Sequence, residues 1–426
     1  MFLLTLLACD FYPEGTDSTV EKEGVYGDCD EEIYVPAGIL SGDAMLATAH
    51  EATFGSSAPD PYQVRYQWPE RDPSKSAAFL WRTDTDTLAS QIQIGTADGF
   101  PDNAETLDGA SFVFGGGEIG AGDHRIHEIR MCGRLQPATS YSYRVGGEGH
   151  WSDTFTFTTP GEPGSFTDFR VAMAGDSRGA YETWGQMLTA MDSHAPDFYL
   201  FSGDMVEFGS AQSEWDAWFE ASGTLLAERA LISAHGNHEF LAQNYFAQFA
   251  FPNNEQWFAI QYGDAVFVSL NDTVSDGAHL DTDQVQYMES VFSDNQDAWK
   301  VVNHHQPLYS TCTRHGSKEG LRDDWGPTFD RWKVNMVVAG HNHIYERSVP
   351  IREDGEVAPG SGTVYLVSGG AGAPLYKESE SEWFGSVANP VEHYIIADFS
   401  ATQIDVVVRD LQGNVLDEFV VPRSAE

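Results

Sequence analysis

Five short motifs rich in Asp, Asn and His each follow an apolar run of this sequence. They read AGDSR (174–178), SGDMVE (202–207), GNHE (236–239), NHHQP (303–307) and GHNHIYER (340–347). The preceding runs, such as FRVAMAG and VNMVVAG, are typical of buried β-strands. Side chains at the carboxyl ends of neighbouring strands meet in one crevice of an open α/β sheet. Carboxylate, amide and imidazole groups gathered there match what two divalent or trivalent metal ions need. The sequence therefore predicts a two-metal site built from strand ends.

The elements that must position these motifs fall into two parts. From about residue 61 to 160, segments such as YQVRYQW and YSYRVGG alternate apolar and polar residues, which predicts an all-β sandwich. A linker rich in Pro and Gly, TTPGEPGSFTDF, follows at 158–169. From about residue 165 to 426, apolar strands alternate with helical stretches, and strand-like segments return near the C-terminus. This alternation predicts an α/β core.

The order and wording of the five motifs resemble the calcineurin-like metallophosphoesterases, and within them the purple acid phosphatases. That family reads GD, GDxxY, GNH followed by an acid, VxxH and GHxHxYER. The resemblance extends from about Pro61 to about Val420. It implies a β-sandwich like a fibronectin type III module at 61–160, followed at 165–426 by a layered α/β/β/α metallophosphoesterase domain. It also implies a phosphate ester as the substrate.

The resemblance assigns metal ligands to the motifs. Asp204 would bridge the two metals. Asp176 and His343 would bind the first metal, and Asn237, His305 and His341 would bind the second. The family's HxP pattern selects His305 rather than His304, which is left as a supporting or packing residue.

Four further residues are candidates for contact with the substrate or for support of catalysis. By resemblance, His238 would donate a proton to the leaving group, a role typically worth ~10²–10⁴ in rate. Glu239 would hold the His238 imidazole in place, or would be an acid in the first turn of a helix. Arg178 would bind the phosphate in a bidentate manner, or would be a surface arginine or one paired with an Asp. His315 resembles a family histidine that reaches the substrate.

The sequence departs from the family at the first metal. The purple enzymes have Tyr at the fifth position of GDxxY, where this chain has Glu207, and many other members have DxH where this chain has Asp176-Ser177-Arg178. Either Glu207 is a ligand, which suits Mn, Fe(II), Zn or Mg, or it points away and water takes its place. Because no tyrosinate is available in this motif, we expect the protein to lack the purple colour.

These observations predict a dinuclear metallophosphatase that hydrolyses phosphate monoesters by attack of a metal-bound hydroxide, with Fe, Mn, Zn or Mg as the metals. A phosphodiesterase or nucleotidase on the same scaffold is one alternative. A non-catalytic surface protein that uses its β-sandwich to bind a partner is the other.

Charge and the N-terminal residues bear on partners and location. The 426 residues carry a formal net charge of −42, which argues against binding nucleic acid or anionic membranes. The first nine residues, MFLLTLLAC, resemble a lipoprotein signal with Cys9 as the lipid anchor; a truncated signal or a mis-called start codon is the alternative, and both imply export. Residues 10–60 form an acidic segment. Export permits disulfides, and Cys29 with Cys132 is the predicted pair.

Overall fold

The computed structural model describes residues 52–114, 123–274, 278–377 and 379–423. The predictions of a signal segment, of lipidation at Cys9 and of an acidic segment up to residue 51 lie outside these ranges. Within them, no helix combines the length and the apolar character needed to cross a membrane.

Among the described residues, the N-terminal part is built from strands without helices. Over the described residues these are β1 (Tyr62–Gln67), β2 (Ala77–Thr83), β3 (Gln91–Thr96), β4 (Glu105–Asp108), β5 (Ala110–Phe114), β6 (His124–Met131), β7 (Ser140–Gly147), β8 (His150–Trp151) and β9 (Phe155–Thr158). One sheet has the order β1-β2-β6-β5, and the other runs β4-β3-β7-β8 with β9 also paired to β7. Ile92 and Ile94 on β3, and Phe155 and Phe157 on β9, alternate with more exposed residues and are buried in the core. The predicted all-β N-terminal part is confirmed.

This N-terminal part packs closely on the rest of the chain. The Trp68 ring lies 5.2 Å from the Phe198 ring, and the Tyr143 hydroxyl donates to the Ala227 carbonyl at 2.7 Å. Both contacts belong to a hydrophobic cluster that continues from the N-terminal sheets into the second part.

Among the described residues, the second part contains two large sheets, a separate two-stranded hairpin and six α-helices. Its strands are β10 (Phe169–Ala174), β11 (Phe198–Phe201), β12 (Leu231–Ser233), β13 (Phe258–Tyr262), β14 (Ala265–Ser269), β15 (Trp299–Asn303), β16 (Met336–Ala339), β17 (Tyr345–Ser348), β18 (Ile351–Arg352), β19 (Gly355–Glu356), β20 (Val364–Ser368), β21 (Gly385–Asn389), β22 (His393–Phe399), β23 (Gln403–Asp410) and β24 (Val415–Pro422). Its helices are α1 (Tyr181–Asp192), α2 (Gln212–Ser222), α3 (Leu225–Glu228), α4 (Gln243–Gln248), α5 (Gln284–Asp294), preceded by a π-helical turn (Ala278–Asp283), and α6 (Glu319–Trp332).

The two sheets combine parallel and antiparallel strands. The first has the order β12-β11-β10-β22-β23-β24, in which β10, β11 and β12 are parallel. The second has the order β13-β14-β15-β16-β20-β17-β21, in which β14, β15, β16 and β20 are parallel. β18 and β19 form a separate hairpin. The parallel strands bring the five motifs to one edge of the paired sheets.

Alternation along β14 shows how the layers are stacked. Ala265 and Phe267 belong to the central cluster shared with the first sheet, whereas Val266 and Val268 belong to a second cluster with residues of α5 and α6. Helix α1 packs on β10 and β22 of the first sheet. The order of layers is therefore helix, sheet, sheet, helix, as predicted.

Helix α6 was not predicted. No helical pattern was identified between the fourth and fifth motifs, but Glu319–Trp332 form α6, which contains Pro327 in its interior. Leu321, Trp325 and Phe329 face the second cluster, so packing rather than local propensity defines this helix.

Two cysteines lie within the described residues. Cys132 is in a disulfide, and its predicted partner Cys29 lies outside the described part of the chain. Cys312 carries a buried thiol.

Candidate metal centre

The predicted metal ligands all lie in loops that directly follow parallel strands. Asp176 follows β10, Asp204 follows β11, Asn237 follows β12, His305 follows β15, and His341 and His343 follow β16. The structure brings them together as two overlapping groups that share Asp204.

The first group consists of Asp176, Asp204 and His343, whose donor atoms lie within 4.8 Å of one another. His343 Nε2 is 3.5 Å from Asp176 Oδ1, and His343 Nδ1 donates to the Pro374 carbonyl at 2.8 Å. Because the backbone holds Nδ1, the Nε2 atom is left facing the two carboxylates, the arrangement usual for a metal-binding imidazole. All three side chains are buried.

The second group consists of Asp204, His305 and His341, with Asn237 beside it. His305 Nε2 lies 3.2 Å from Asp204 Oδ1 and 3.0 Å from Asn237 Oδ1. Its Nδ1 donates to the Ser202 carbonyl at 2.8 Å. Burial opposes the charge on His305, but the Asp204 carboxylate overrides it and raises the pKa of His305 to about 10. In the metal-free chain a proton on His305 therefore compensates the charge of Asp204.

The donor set fits two metal ions. His341 Nε2 is buried and has no hydrogen-bond partner among the described residues, which is costly unless a ligand occupies that position. Burial, followed by the charge of His305, lowers the pKa of His341 to about 2, so its nitrogen lone pair is available. Oxygen and imidazole donors shared through one carboxylate suit a closely spaced pair of hard or borderline cations.

Tight backbone turns aim these side chains. Asp176, Asp204 and His341 have φ values of 63°, 55° and 66°, in the left-handed region that non-glycine residues seldom adopt. The turns are bonded to one another, since the Asp176 amide donates to the Gly203 carbonyl at 3.0 Å and the His341 amide donates to both Asp176 oxygens at 2.9 and 3.0 Å. Strained conformations of this kind cluster at functional sites.

His238 lies at the edge of this centre. Its backbone amide donates to Asp204 Oδ1 at 2.9 Å, and its Nδ1 donates to the Glu207 carbonyl at 2.7 Å. Its Nε2 is 4.0 Å from Asp204 Oδ2. The ring is therefore fixed through Nδ1 and presents Nε2 to the crevice, as a proton donor to a leaving group requires.

The prediction that Glu239 orients the His238 imidazole is wrong. The Glu239 carboxylate is fully buried and accepts backbone N–H groups from Asp204 (2.9 Å), Met205 (2.8 Å) and Gly236 (2.7 Å). The carbonyl of Glu207 takes the predicted place beside His238. Nor is Glu239 an acid in the first turn of a helix, since α4 begins at Gln243. Glu239 instead holds the turn that carries Asp204.

The position of Glu207 favours the alternative in which it points away from the first metal and water takes its place. Glu207 belongs to neither donor group found among the described residues, and its Oε2 accepts a hydrogen bond from Arg178 Nη1 at 2.5 Å. The guanidinium is held by Glu207, lies 3.7 Å from Asp204 Oδ2 and bonds to the Tyr376 hydroxyl. Opposite charge and the short approach explain the pairing. Binding of phosphate by Arg178 stays a prediction.

His315 lies over the second group, with its ring 4.4 Å from the ring of His341. Its loop is tied down by the fifth motif, because Glu346 accepts bonds from the Ser310 and Thr311 hydroxyls and from the Thr311 amide. The conformation of the loop therefore depends on the second half of GHNHIYER. The predicted contact of His315 with substrate is consistent with this position and stays a prediction.

Sequence reasoning missed two residues of the site. Asp272 accepts from His304 Nδ1 and from the His305 amide, both at 3.0 Å, and so fixes the fourth motif. It follows β14 as Asn-Asp after an apolar run, so the strand-end pattern could have found it. Tyr376 stacks on His343 at 4.2 Å between ring centroids, and no sequence pattern singles it out.

Comparisons with known proteins find matches for both parts of the chain. The family model described as calcineurin-like phosphoesterase matches residues 169–345, and the one described as purple acid phosphatase, N-terminal domain, matches residues 61–159. Purple acid phosphatase 22 of Arabidopsis thaliana is 27% identical over 308 residues, which cover 68% of this chain and 68% of that protein. Purple acid phosphatase 21 of the same plant is 27% identical over 311 residues, again 68% of each chain.

A solved structure supports the fold independently. The structure of a purple acid phosphatase from yellow lupin (Lupinus luteus) seeds superposes with a TM-score of 0.74 at 20% sequence identity. The match covers 86% of this chain and 75% of that one. Two family models in sequence order, similar curated relatives and a shared fold therefore lead to one conclusion: the chain belongs to the calcineurin-like metallophosphoesterases and is a purple acid phosphatase-like hydrolase with a candidate two-metal centre.

Proposed function

We propose that this phosphatase hydrolyses phosphate monoesters and that it acts outside the cytoplasm. The observation that carries the first part is the sharing of Asp204 between two donor groups, with His238 fixed at their edge. A shared carboxylate is what a pair of closely spaced cations requires, and a proton donor beside it serves the departure of an alcohol.

The residues of the chain divide the work of such a reaction. Asp176, Asn237, His305, His341 and His343, together with Asp204, would hold the metals, which when bound neutralise phosphate charge and activate water. His238 Nε2 faces the crevice and would pass a proton to the departing oxygen, while the Glu207 carbonyl keeps its ring in place. His315 would contact the phosphate from above His341.

Phosphate monoesters are favoured over diesters by the surroundings of the donors. A monoester presents two negative charges and one organic substituent, whereas a diester needs room for a second substituent. The Arg178 guanidinium, which is paired with Glu207, lies on one side of the donors, and the rings of His315 and Tyr376, 5.5 Å apart, lie on another. A guanidinium and two rings around the donors favour the smaller and more highly charged substrate.

The proposal is tested by assaying 4-nitrophenyl phosphate and bis(4-nitrophenyl) phosphate with protein loaded in turn with Fe, Mn, Zn or Mg. We expect the monoester to have the higher kcat/KM with at least one metal, and the metal-binding variant Asp204→Asn to be inactive. Preference for the diester would support a phosphodiesterase. Absence of turnover with every metal would favour the non-catalytic alternative.

Export is the second part of the proposal. The disulfide at Cys132 supports an oxidising compartment, because cytosolic thiols are kept reduced. The high negative charge suits a well-solvated surface. Fractionation of cells that express the full chain, combined with thiol labelling, tests the location. A cytosolic protein with Cys132 reduced would refute export.

A further inference from the structure

Two exposed aromatic residues belong to the backbone segments that meet at His238. Phe240 is 61% exposed and Phe208 is 51% exposed. Single exposed apolar residues are ordinary on protein surfaces. Here, however, the Phe240 ring centroid lies 5.9 Å from that of His238, the group proposed to protonate the leaving oxygen.

The two segments that carry these rings are bonded to each other. The Gly209 amide donates to the His238 carbonyl at 2.7 Å, and His238 Nδ1 donates to the Glu207 carbonyl at 2.7 Å. The contact is so close that a Cβ atom on Gly209 would lie 1.9 Å from the Glu239 carbonyl oxygen. Phe208 and Phe240 therefore belong to two loop segments that cross in close contact beside His238.

The outward position of Phe240 is enforced by the backbone. Phe240 and Leu241 have φ values of 53° and 52°, two consecutive non-glycine residues in the left-handed region. The Leu241 amide donates to His235 Nε2 at 2.9 Å, and His235 is itself fully buried and stacked on Phe246. Leu241 packs against the core, and Phe240 is left in solvent. Such strain persists only where surrounding structure maintains it.

We propose that Phe208 and Phe240 form an aromatic platform that binds the leaving group, and that the preferred substrates are phosphate monoesters of aromatic alcohols. The inference rests on the proposed function, since it places the ester oxygen beside His238. A ring joined directly to that oxygen would lie within the stacking range of Phe240, whereas a sugar or glycerol would set hydroxyl groups against an apolar surface. In the reaction the bond between phosphorus and the aryl oxygen breaks, water provides the new oxygen on phosphorus, and the phenol leaves with a proton.

The test measures binding without turnover. Phenylphosphonate and methylphosphonate, neither of which contains a cleavable ester, are titrated calorimetrically into the metal-loaded full chain. We expect the wild type to bind phenylphosphonate about 10-fold more tightly than methylphosphonate, the upper range of one aromatic contact plus apolar burial. The ratio of the two Kd values should fall roughly 3- to 10-fold in Phe240→Ala, and to a lesser extent in Phe208→Ala.

Two control variants distinguish the effect of an aromatic ring from that of apolar bulk at the same position and from that of any exposed apolar side chain. Phe240→Leu keeps an apolar side chain and should retain only part of the preference. Val420→Ala removes an exposed apolar residue from the edge strand β24 and should leave the ratio unchanged. Equal affinities in the wild type, an unchanged ratio in both Phe variants, or failure of both phosphonates to bind would each overturn the inference.

Kinetics then distinguish this inference from the proposed function. For phenyl phosphate, kcat/KM should fall about 3- to 10-fold in Phe240→Ala, mainly through KM. For ethyl phosphate, the ratio of variant to wild type should be close to one, and comparison within one ester removes the effect of leaving-group basicity. A preference for phenylphosphonate without any ester hydrolysis would refute the proposed function and keep the platform. Hydrolysis of both esters with equal losses in the variant would refute the platform alone.

Discussion

Binding of the second metal should release one proton from His305. In the metal-free chain, the Asp204 carboxylate 3.2 Å away raises the pKa of His305 to about 10, although burial opposes the charge. The His305 Nδ1 proton is committed to the Ser202 carbonyl, so the additional proton is on Nε2. That is the atom which would bind the metal, and a ligand nitrogen must be deprotonated before it can coordinate.

The magnitude follows from the position of this pKa. Because pH 7 is about three units below the pKa of His305 in the folded chain, His305 is almost fully protonated at that pH. A metal that must displace this proton gains about tenfold in apparent affinity per pH unit, or ~1.4 kcal/mol, until the pH approaches the pKa of His305. The affinity therefore rises with pH, and a group titrating at its ordinary value near 6.5 would produce no such rise above pH 7.

The assay is calorimetric titration of Zn²⁺ or Mn²⁺ into metal-free protein at pH 7, in two buffers of different protonation enthalpy. The wild type should release about one proton more than His305→Gln. His150→Gln is the matched control, because His150 lies on β8 of the N-terminal part, bonded to Asp60. Equal proton counts for wild type and His305→Gln, or a flat affinity between pH 7 and 9, would refute the assignment of this proton.

Four further outcomes are expected. Asp204→Asn should lose metal and nearly all activity while its circular dichroism spectrum stays native; two retained metals with normal turnover would remove the central claim about the bridge. His238→Ala should keep both metals but lower kcat by ~10²–10⁴, with smaller losses for good leaving groups, and an equal loss across leaving groups would reassign it to binding. Iron-loaded protein should be colourless or faintly yellow, and an intense visible band would contradict this expectation of colour. Calorimetry should find that Glu207→Ala changes the affinity for the first metal little, because Glu207 is bonded to Arg178. Burial lowers the pKa of His393 to about 4, so between pH 6.5 and 4 the unfolded chain binds a proton that the folded chain does not. The free energy of unfolding should therefore fall by up to about 3 kcal/mol over this range. Denaturant titrations in which the free energy of unfolding of His393→Gln depends on pH as steeply as that of the wild type would reject this prediction.

The strand-end pattern was sufficient to place the donors. Six metal donors were predicted besides Glu207, and each of them follows a parallel strand. Strands of this kind end at one edge of a sheet. The buried parallel strands are continuous apolar runs, which predict strands but not how their sheets are stacked, so the order of the layers came from the family resemblance. Asp272 follows β14 and obeys the same rule.

The roles of the acids could not be derived in this way. Glu239 follows His238 in sequence, but two of the three amides that donate to its carboxylate, those of Asp204 and Met205, lie 34 to 35 residues away. Glu207 occupies a family ligand position, but Arg178, 29 residues earlier, comes within hydrogen-bond distance of it. Whether an acid binds a metal, a guanidinium or the backbone depends on which loop packs against it. Spacing along one segment carries no information about that neighbour.

The glycines of the motifs show how backbone packing makes the shared carboxylate feasible. A Cβ atom on Gly236 would lie 2.2 Å from the Asp204 amide nitrogen, and one on Gly340 would lie 2.2 Å from Asp176 Oδ2. The loops after neighbouring strands therefore approach too closely for any side chain at these positions. This approach buries the backbone amides around Asp204, and burying them without partners would cost roughly 1–3 kcal/mol each. Glu239 accepts three of them at 2.7 to 2.9 Å.

Burial and the adjacent Asp204 charge raise the pKa of Glu239, so the arrangement places two mutually repelling carboxylates side by side in the metal-free chain. Cations held by the donor groups would offset the charge of Asp204 and relieve that repulsion. The acid after GNH therefore supports the backbone turn that carries Asp204 and does not contact the His238 ring.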